Sequence, residues 1–536
     1  MNLPSLSHLL KAFKDLRSLP IWLALGVAAI ATLPVRGAER IQFFYGPFES
    51  TIELEHLEAI AEADSPATAD VPWINFLDDE QLAFLQTILH MEYEIDVVTM
   101  SRLSYSSVGE KMLFRIGQIV QTESGQNGKR ALRAALVLAA DDDPKLTVLN
   151  IVRHFPLDTI QLNWPLAQAL LPESQTIFQE RGQAIAALQA QAQANSEPKS
   201  LPNTDLSQAG NYRWQREVMT FSNPDRPAPS VADLYVPQSE ATSVPVIVIS
   251  HGVASNRETF AYLAKHLASH GYAVVAMDHS DTTAEKFNQF LMGLEGAPDP
   301  QSLLHRPRDV SAVLDTLEQR AVEEPALRSL DLDSVGILGH SLGGYTALAA
   351  AGATLQPQLW QTVCSLPVGE QPLLNLSMLV QCRFNELSGD ASSLAVRDDR
   401  VQAVIALNPL SSHLFGAEGM ASLTVPTMLV ASTDDYFVPA LPEQIEPFQW
   451  LTVDSKYLVI VENGTHFTPM EGDEQVMPIP DFLIGPDPTQ AQPAIESLTL
   501  AFFNKHLQRH GEGDAYLTQP YLNQFGNTPF QFTIVR

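Results

Sequence analysis

With 536 residues, 45% of them hydrophobic and 18% charged, the chain is long enough for two folded domains and apolar enough to give each a core. Its 62 acidic side chains against 32 basic ones leave a formal net charge of -30. A surface of that sign repels nucleic-acid phosphates and anionic lipid headgroups, which excludes nucleic acid as a partner and leaves only an apolar segment for membrane contact.

Such a segment opens the chain. Lys11, Lys14 and Arg17 precede an apolar run from Ile21 to Val35, which is shorter than the roughly 20 residues a spanning helix prefers. A basic n-region, an apolar h-region and the small residues Gly37 and Ala38 predict a signal peptide over 1–38. Left uncleaved, it would be an N-terminal anchor touching a membrane through 21–35. The expected destination is outside the cytoplasm: periplasm, extracellular space or thylakoid lumen. The only cysteines are Cys364 and Cys382, which form a candidate disulfide in such a compartment and otherwise two buried thiols.

Residues 39–188 predict a smaller, mainly helical domain, because apolar residues recur at helical spacing in IELEHLEAIAE, EQLAFLQTILH and RALRAALVLAA. It holds no metal-ligand spacing, phosphate loop or nucleophile beside a base. Residues 189–210 are polar, carry two prolines and read as a linker. From 211 onward short β-rich runs alternate with helical ones. Strands are expected at 216–221, 231–236, 245–250, 272–277, 334–339, 401–407, 425–431 and 456–462. The middle runs are nearly continuous Val, Ile and Ala, as strands buried on both faces require. The expected fold class is therefore α/β: a doubly wound, mostly parallel eight-stranded sheet over 211–510, with 511–536 as a C-terminal extension.

Gly339-His340-Ser341-Leu342-Gly343-Gly344 lies between the strand SVGIL and the helix-forming stretch YTALAAA. A serine on such a strand-to-helix turn is raised to the carboxyl edge of the sheet, which makes Ser341 the candidate nucleophile. Its hydroxyl needs a base. His466, in Glu462-Asn463-Gly464-Thr465-His466, follows the last expected strand, whereas His506 and His510 lie on a helix that reads as surface. For the acid, the strand VPTMLVA runs into Ser432-Thr433-Asp434-Asp435, and Asp435 stands four residues before Pro439. Asp434 reads as a turn residue. The loop Ser250-His251-Gly252-Val253 after PVIVIS is expected to aim the Val253 amide at an oxyanion, together with the amide of Leu342. His251 itself reads as buried scaffold rather than base. Segments 282–305, with Phe287, Phe290, Leu291 and Met292, and 351–398 are either a cap over an acyl pocket or locally packed insertions.

These residues resemble a known family. ISHGVASNRETFAYLAKHLASHGYAVVAMDHSD, RPRDVSAVLDTL and GILGHSLGGYTA are similar to the platelet-activating factor acetylhydrolase and dienelactone hydrolase-like branch of the α/β-hydrolases, over roughly 211–510. The N-terminal part beginning AERIQFFYGP resembles the domain of unknown role in a cyanobacterial α/β-hydrolase family. The resemblance implies a serine hydrolase of small-molecule or lipid esters that works without metal or organic cofactor. It departs from the acetylhydrolases at Asn408, where they carry the acid, so the acid is expected one strand later at Asp435. Peptide or amide hydrolysis by the same residues, or an inactive hydrolase fold that binds through its helical domain, are the alternatives.

Overall fold

The structure, a computed structural model, describes residues 37–45, 48–74, 79–168, 180–194, 202, 204–292, 294–296, 298–367, 370–372, 374–387, 394–471, 481–508 and 513–536. The expected signal segment lies outside these residues apart from Gly37 and Ala38, as do 195–201 and 203 of the expected linker. No described helix is long and apolar enough to cross a membrane.

The first domain is more than a helical bundle. Strands β1 (Arg40–Tyr45), β2 (Phe48–Glu53), β3 (Val120–Thr122) and β4 (Thr159–Leu162) form a mixed sheet in the order β2-β1-β4-β3. Around it lie α1 (Leu54–Glu62), α2 (Asp79–His90), α3 (Val97–Tyr105), α4 (Ser107–Ile119), α5 (Lys129–Asp142) and α6 (Val148–Arg153). The domain is mainly helical, with this sheet in addition, and IELEHLEAIAE is split between the two: Ile52 and Glu53 finish a strand, and the helix starts at Leu54. The Asp96 side chain accepts from the Val98 and Thr99 amides and caps α3, and Ser106 caps α4 by accepting from Gly109.

Helix α7 (Arg181–Ala194) corrects the linker expectation. Its Ile185 and Ala192 are buried in the core of the second domain, and Leu206 further on is buried in that domain's other core. Within the stretch read as a linker, the described residues Ala192 and Leu206 are thus part of the second domain's cores, and that domain begins no later than Ile185.

That sheet has nine strands, not eight: β5 (Trp214–Phe221), β6 (Ser230–Pro237), β7 (Val244–Ser250), β8 (Ala273–Met277), β9 (Leu330–His340), β10 (Val401–Leu407), β11 (Thr427–Ser432), β12 (Lys456–Glu462) and β13 (Gln531–Val535). Their order is β13-β12-β11-β10-β9-β7-β8-β6-β5. The pairs from β8 across to β12 are parallel, and the outer strands are antiparallel. On β7, Val246 and Val248 enter one core while Ile247 and Ile249 enter the other, so the sheet is buried on both faces. Helices α8 (Ala261–Ser269), α9 (Ala284–Leu291), α10 (Ser302–Glu323), α11 (Leu342–Ala351), α12 (Pro357–Cys364) and α13 (Gln492–His506) accompany it.

The ninth strand corrects the expectation that 511–536 is an extension beyond the domain. β13 pairs with β12 through Val459↔Ile534 and buries Phe532, Ile534 and Val535, so the domain includes residues through Val535. Cys364 and Cys382 are joined as a disulfide across the insertion that follows α11. In that insertion Phe384 packs edge-on to Tyr345 of α11 and against Trp360. Helix α4 of the first domain reaches the same insertion through Lys111 Nζ to Glu386 Oε1 (2.8 Å) and Arg115 Nη2 to Gln371 Oε1 (2.9 Å).

Candidate active site

β9 ends at His340 and α11 begins at Leu342, which leaves Ser341 alone at the turn with φ 57 and ψ -121. A non-glycine residue at positive φ is strained and is kept only where its surroundings enforce it. Here the enforcement is close backbone packing. A Cβ on Gly339 would lie 2.0 Å from the Gly343 carbonyl oxygen, and one on Gly343 would lie 2.0 Å from the Ser250 carbonyl oxygen. The Ser341 amide donates to Leu407 O (2.9 Å), tying the turn to β10.

His466 and Asp435 meet. The His466 Nδ1 lies 2.6 Å from Asp435 Oδ2, and the other carboxylate oxygen of Asp435 accepts the amides of Phe437 (2.9 Å) and Val438 (2.8 Å). These three bonds fix the carboxylate, and through it the imidazole, leaving Nε2 as the unengaged nitrogen of His466. Asp434 points elsewhere, with a carboxylate oxygen 3.7 Å from Arg181 Nη2. The His466 loop is held from below by Asn408, which donates to the Thr465 carbonyl (3.3 Å) and to Ser432 Oγ (3.1 Å) while accepting from the Ser432 amide (3.0 Å). A carboxylate could not donate either bond, which accounts for an amide where the acetylhydrolase pattern has an acid.

The loop after β7 runs beside the serine: a Cβ on Gly252 would lie 3.1 Å from Ser341 Cβ. Among the described residues, the amides of Val253 and Leu342 have no hydrogen-bond acceptor. Leu342 is the first residue of α11, where helix geometry leaves the amide free for an incoming anion. The orientation of the Val253 amide is set by His251, whose Nδ1 donates to the Gly252 carbonyl (2.6 Å) and whose Nε2 accepts from the His279 amide (3.0 Å). Burial and the nearby Arg306 guanidinium hold the His251 pKa well below the usual imidazole value, so the ring is neutral scaffold.

Sequence reasoning missed a buried layer behind this loop. His279 accepts from Ser250 Oγ (2.8 Å) at Nε2 and donates from Nδ1 to Asp309 Oδ2 (2.8 Å), and all three are fully buried. Asp309 is also gripped by Arg226, whose Nε lies 2.6 Å from Oδ1. His340 donates from Nε2 to the His466 carbonyl (2.9 Å), and its ring packs 4.7 Å from that of His466. His279, Asp309 and His340 lie in AMDHSD, RPRDV and GILGHS, and Ser250 and Arg226 elsewhere, and no spacing rule brings them together before the sheet is folded. No group of three potential metal ligands occurs among the described residues.

A family profile described as an alpha/beta hydrolase of unknown function matches residues 37–163, wholly within the first domain. Another, described as serine aminopeptidase, S33, matches residues 242–382. Among curated proteins the chain is 26% identical over 141 residues to chlorophyllase-1 of Citrus unshiu, covering 26% of this chain and 38% of that one. It is 26% identical over 239 residues to a cutinase of Thermobifida alba, covering 44% and 57% respectively. To the platelet-activating factor acetylhydrolase of Cavia porcellus it is 26% identical over 172 residues, covering 25% and 38%. The chain thus spans between 38% and 57% of the length of these relatives. The second profile runs through β7, β8 and β9 to beyond the Ser341 turn, which stands on a mostly parallel sheet accompanied by helices: the chain belongs to the α/β-hydrolase superfamily.

Proposed function

We propose that the chain is a serine hydrolase of carboxylic esters, with small-molecule or lipid esters as substrates. Ser341 is the nucleophile, His466 the general base, Asp435 the acid that orients it, and the amides of Val253 and Leu342 are the oxyanion donors. The observation that carries this reading is the 2.6 Å contact between His466 Nδ1 and Asp435 Oδ2, taken with a serine held at positive φ on the strand-to-helix turn.

His466 Nε2 takes the Ser341 proton as the oxygen attacks the acyl carbon. The carbonyl π bond opens, and its oxygen carries the negative charge to the two amides. As the carbonyl re-forms, the alcohol leaves with the proton from His466, and water activated by the same imidazole then releases the acid. Asp435 stabilises the imidazolium in both halves. No metal or organic cofactor enters these steps. Similarity to a platelet-activating factor acetylhydrolase and a cutinase supports the ester class.

A second reading, peptide-bond hydrolysis, is favoured by the serine aminopeptidase profile over 242–382. Purified protein offered acetyl, butyryl and long-chain nitrophenyl esters alongside peptide anilides separates the two. Turnover of esters and not of anilides is expected, and the reverse pattern would transfer the assignment to peptides. Ser341→Ala should abolish turnover by several orders of magnitude, because the members of a triad act as a unit. Export belongs to the same proposal, since a joined Cys364–Cys382 pair suits an oxidising compartment.

A further inference from the structure

Arg306 takes no part in the steps above, yet it is among the largest fully buried side chains of the protein. It sits on α10, immediately before Pro307 inside that helix. A guanidinium removed from water is costly unless a carboxylate faces it. Here the nearby carboxylates are committed elsewhere: Asp281 and Asp309 pair with Arg226 and reach Arg306 only through space. Burial accordingly pushes the Arg306 pKa down to about 9.

What Arg306 does make is a three-way tie. Its Nε donates to Thr346 Oγ1 (3.1 Å), its Nη1 to Thr282 Oγ1 and its Nη2 to the His251 carbonyl. These acceptors stand on α11, on the turn after β8 and on the loop after β7. The Thr346 hydroxyl passes the tie on by donating to the Leu342 carbonyl (2.8 Å). The turn carrying Thr282 is joined to the loop again, through the Ala254 amide donating to the Thr282 carbonyl (3.1 Å). One planar fork therefore grips the peptide that precedes Gly252-Val253 and, through a single hydroxyl, the residue that carries the other free amide. A lysine, whose three donors converge on one rotatable ammonium, cannot span acceptors set at the fixed angles of a planar fork.

We propose that Arg306 is a positioning residue that sets the spacing and aim of the Val253 and Leu342 amides, and so acts on the oxyanion rather than on the bound ester. The inference rests on the reading of the site given above. Charge develops on that oxygen only in the transition state, so loosening the amides lowers kcat and leaves KM in place. A trifluoromethyl ketone reports the same feature without turnover, because Ser341 adds to its carbonyl, His466 takes the proton and the resulting alkoxide rests on the two amides.

The test uses Arg306→Lys, Thr282→Val and Ser341→Ala in the full chain, with a butyrate ester and a trifluoromethyl ketone. Loss of an oxyanion donor costs about 10²–10³ in kcat, so displacement of both should cost roughly 30-fold in Arg306→Lys and roughly 5-fold in Thr282→Val. KM should stay within about threefold, and the ketone's Ki should rise by the same factors as kcat falls. Unchanged kcat and Ki in folded Arg306→Lys would overturn the proposal, as would a rise in KM alone. Should that variant not fold, the near-isosteric Thr282→Val decides the matter, and unchanged kcat and Ki there overturn it equally. Turnover by Ser341→Ala would instead overturn the reading of the site itself, and the proposal with it.

Discussion

Asp434 and Asp435 follow one another in the turn after β11, where the Asp435 amide donates back to the Ser432 carbonyl (3.4 Å), and their side chains diverge. Asp435 is 3% exposed and turned to His466, while the Asp434 side chain is 38% exposed and turned to Arg181. Asp435→Asn keeps the shape but removes the charge and favours the wrong imidazole tautomer, so esterase rates should fall by about 10⁴. Asp434→Asn should cost less than about tenfold, since an exposed pair is worth little. A larger loss at Asp434 would move the acid to that residue. Ser341, Asp435 and His466 could be read as candidates because their chemistry is written in local patterns: a glycine-flanked turn, a strand end before a proline, and a loop after the last long strand. Arg306, His279 and Asp309 could not, because each acquires its role from partners on other elements, as when Arg306 meets Thr346, His251 and Thr282.

At the scale of elements, legibility follows burial. β10 and β12 match the expected residues from first to last, and both are runs of apolar residues that nothing but a buried strand explains. β13 was missed because QFTIV is short and follows a polar, turn-rich stretch, and it becomes a strand through pairing with β12. Helix α7 was missed in part because its AQAQA repeat lacks an apolar stripe, although Ile185 and Ala192 find the core. The insertion after α11 owes its closure to Cys364–Cys382, which bridges 18 positions. Replacing both by serine should cost about 3 kcal/mol by loop-closure entropy. The loss should appear as a lower chemical-denaturation midpoint, and an unchanged midpoint would mean that Phe384 packed between Trp360 and Tyr345 holds the insertion without the bridge.

The molecule as a whole should be sensitive to acid. Burial, aided by the cations near them, lowers the pKa of His251 and His279 well below the usual imidazole value. Burial and the neighbouring His466 do the same to His340. Burial also brings His266 and His506 to about 4, so His506 is a packed residue beside Tyr457 and not the surface residue its helix suggested. Unfolding returns these rings to about 6.5, where they bind protons the folded state refuses. Their contribution is thus fully present above about pH 6.5 and is lost as the pH falls below it, at about 1.4 kcal/mol per ring per pH unit. Glu496 works in the opposite direction, because burial and Glu471 raise its pKa to about 7 and the folded state keeps a proton there that the unfolded chain loses. Burial also lowers the pKa of His270, His305 and His413 and raises that of Asp278 and Glu446. The rings outnumber the carboxyls, so calorimetric Tm should drop by several degrees between pH 7.5 and 5.5, and an equal or higher Tm at 5.5 would contradict the balance. The central claim is that this folded chain uses Ser341 to attack acyl carbon, and covalent capture tests it most directly. The intact protein is treated with a fluorophosphonate, and the adduct is located by mass spectrometry of its peptides. A single adduct is expected, on Ser341, whose appearance tracks the loss of ester turnover and which is absent in Ser341→Ala. An unmodified Ser341 in folded protein, or an adduct on another residue with turnover surviving in Ser341→Ala, would contradict it.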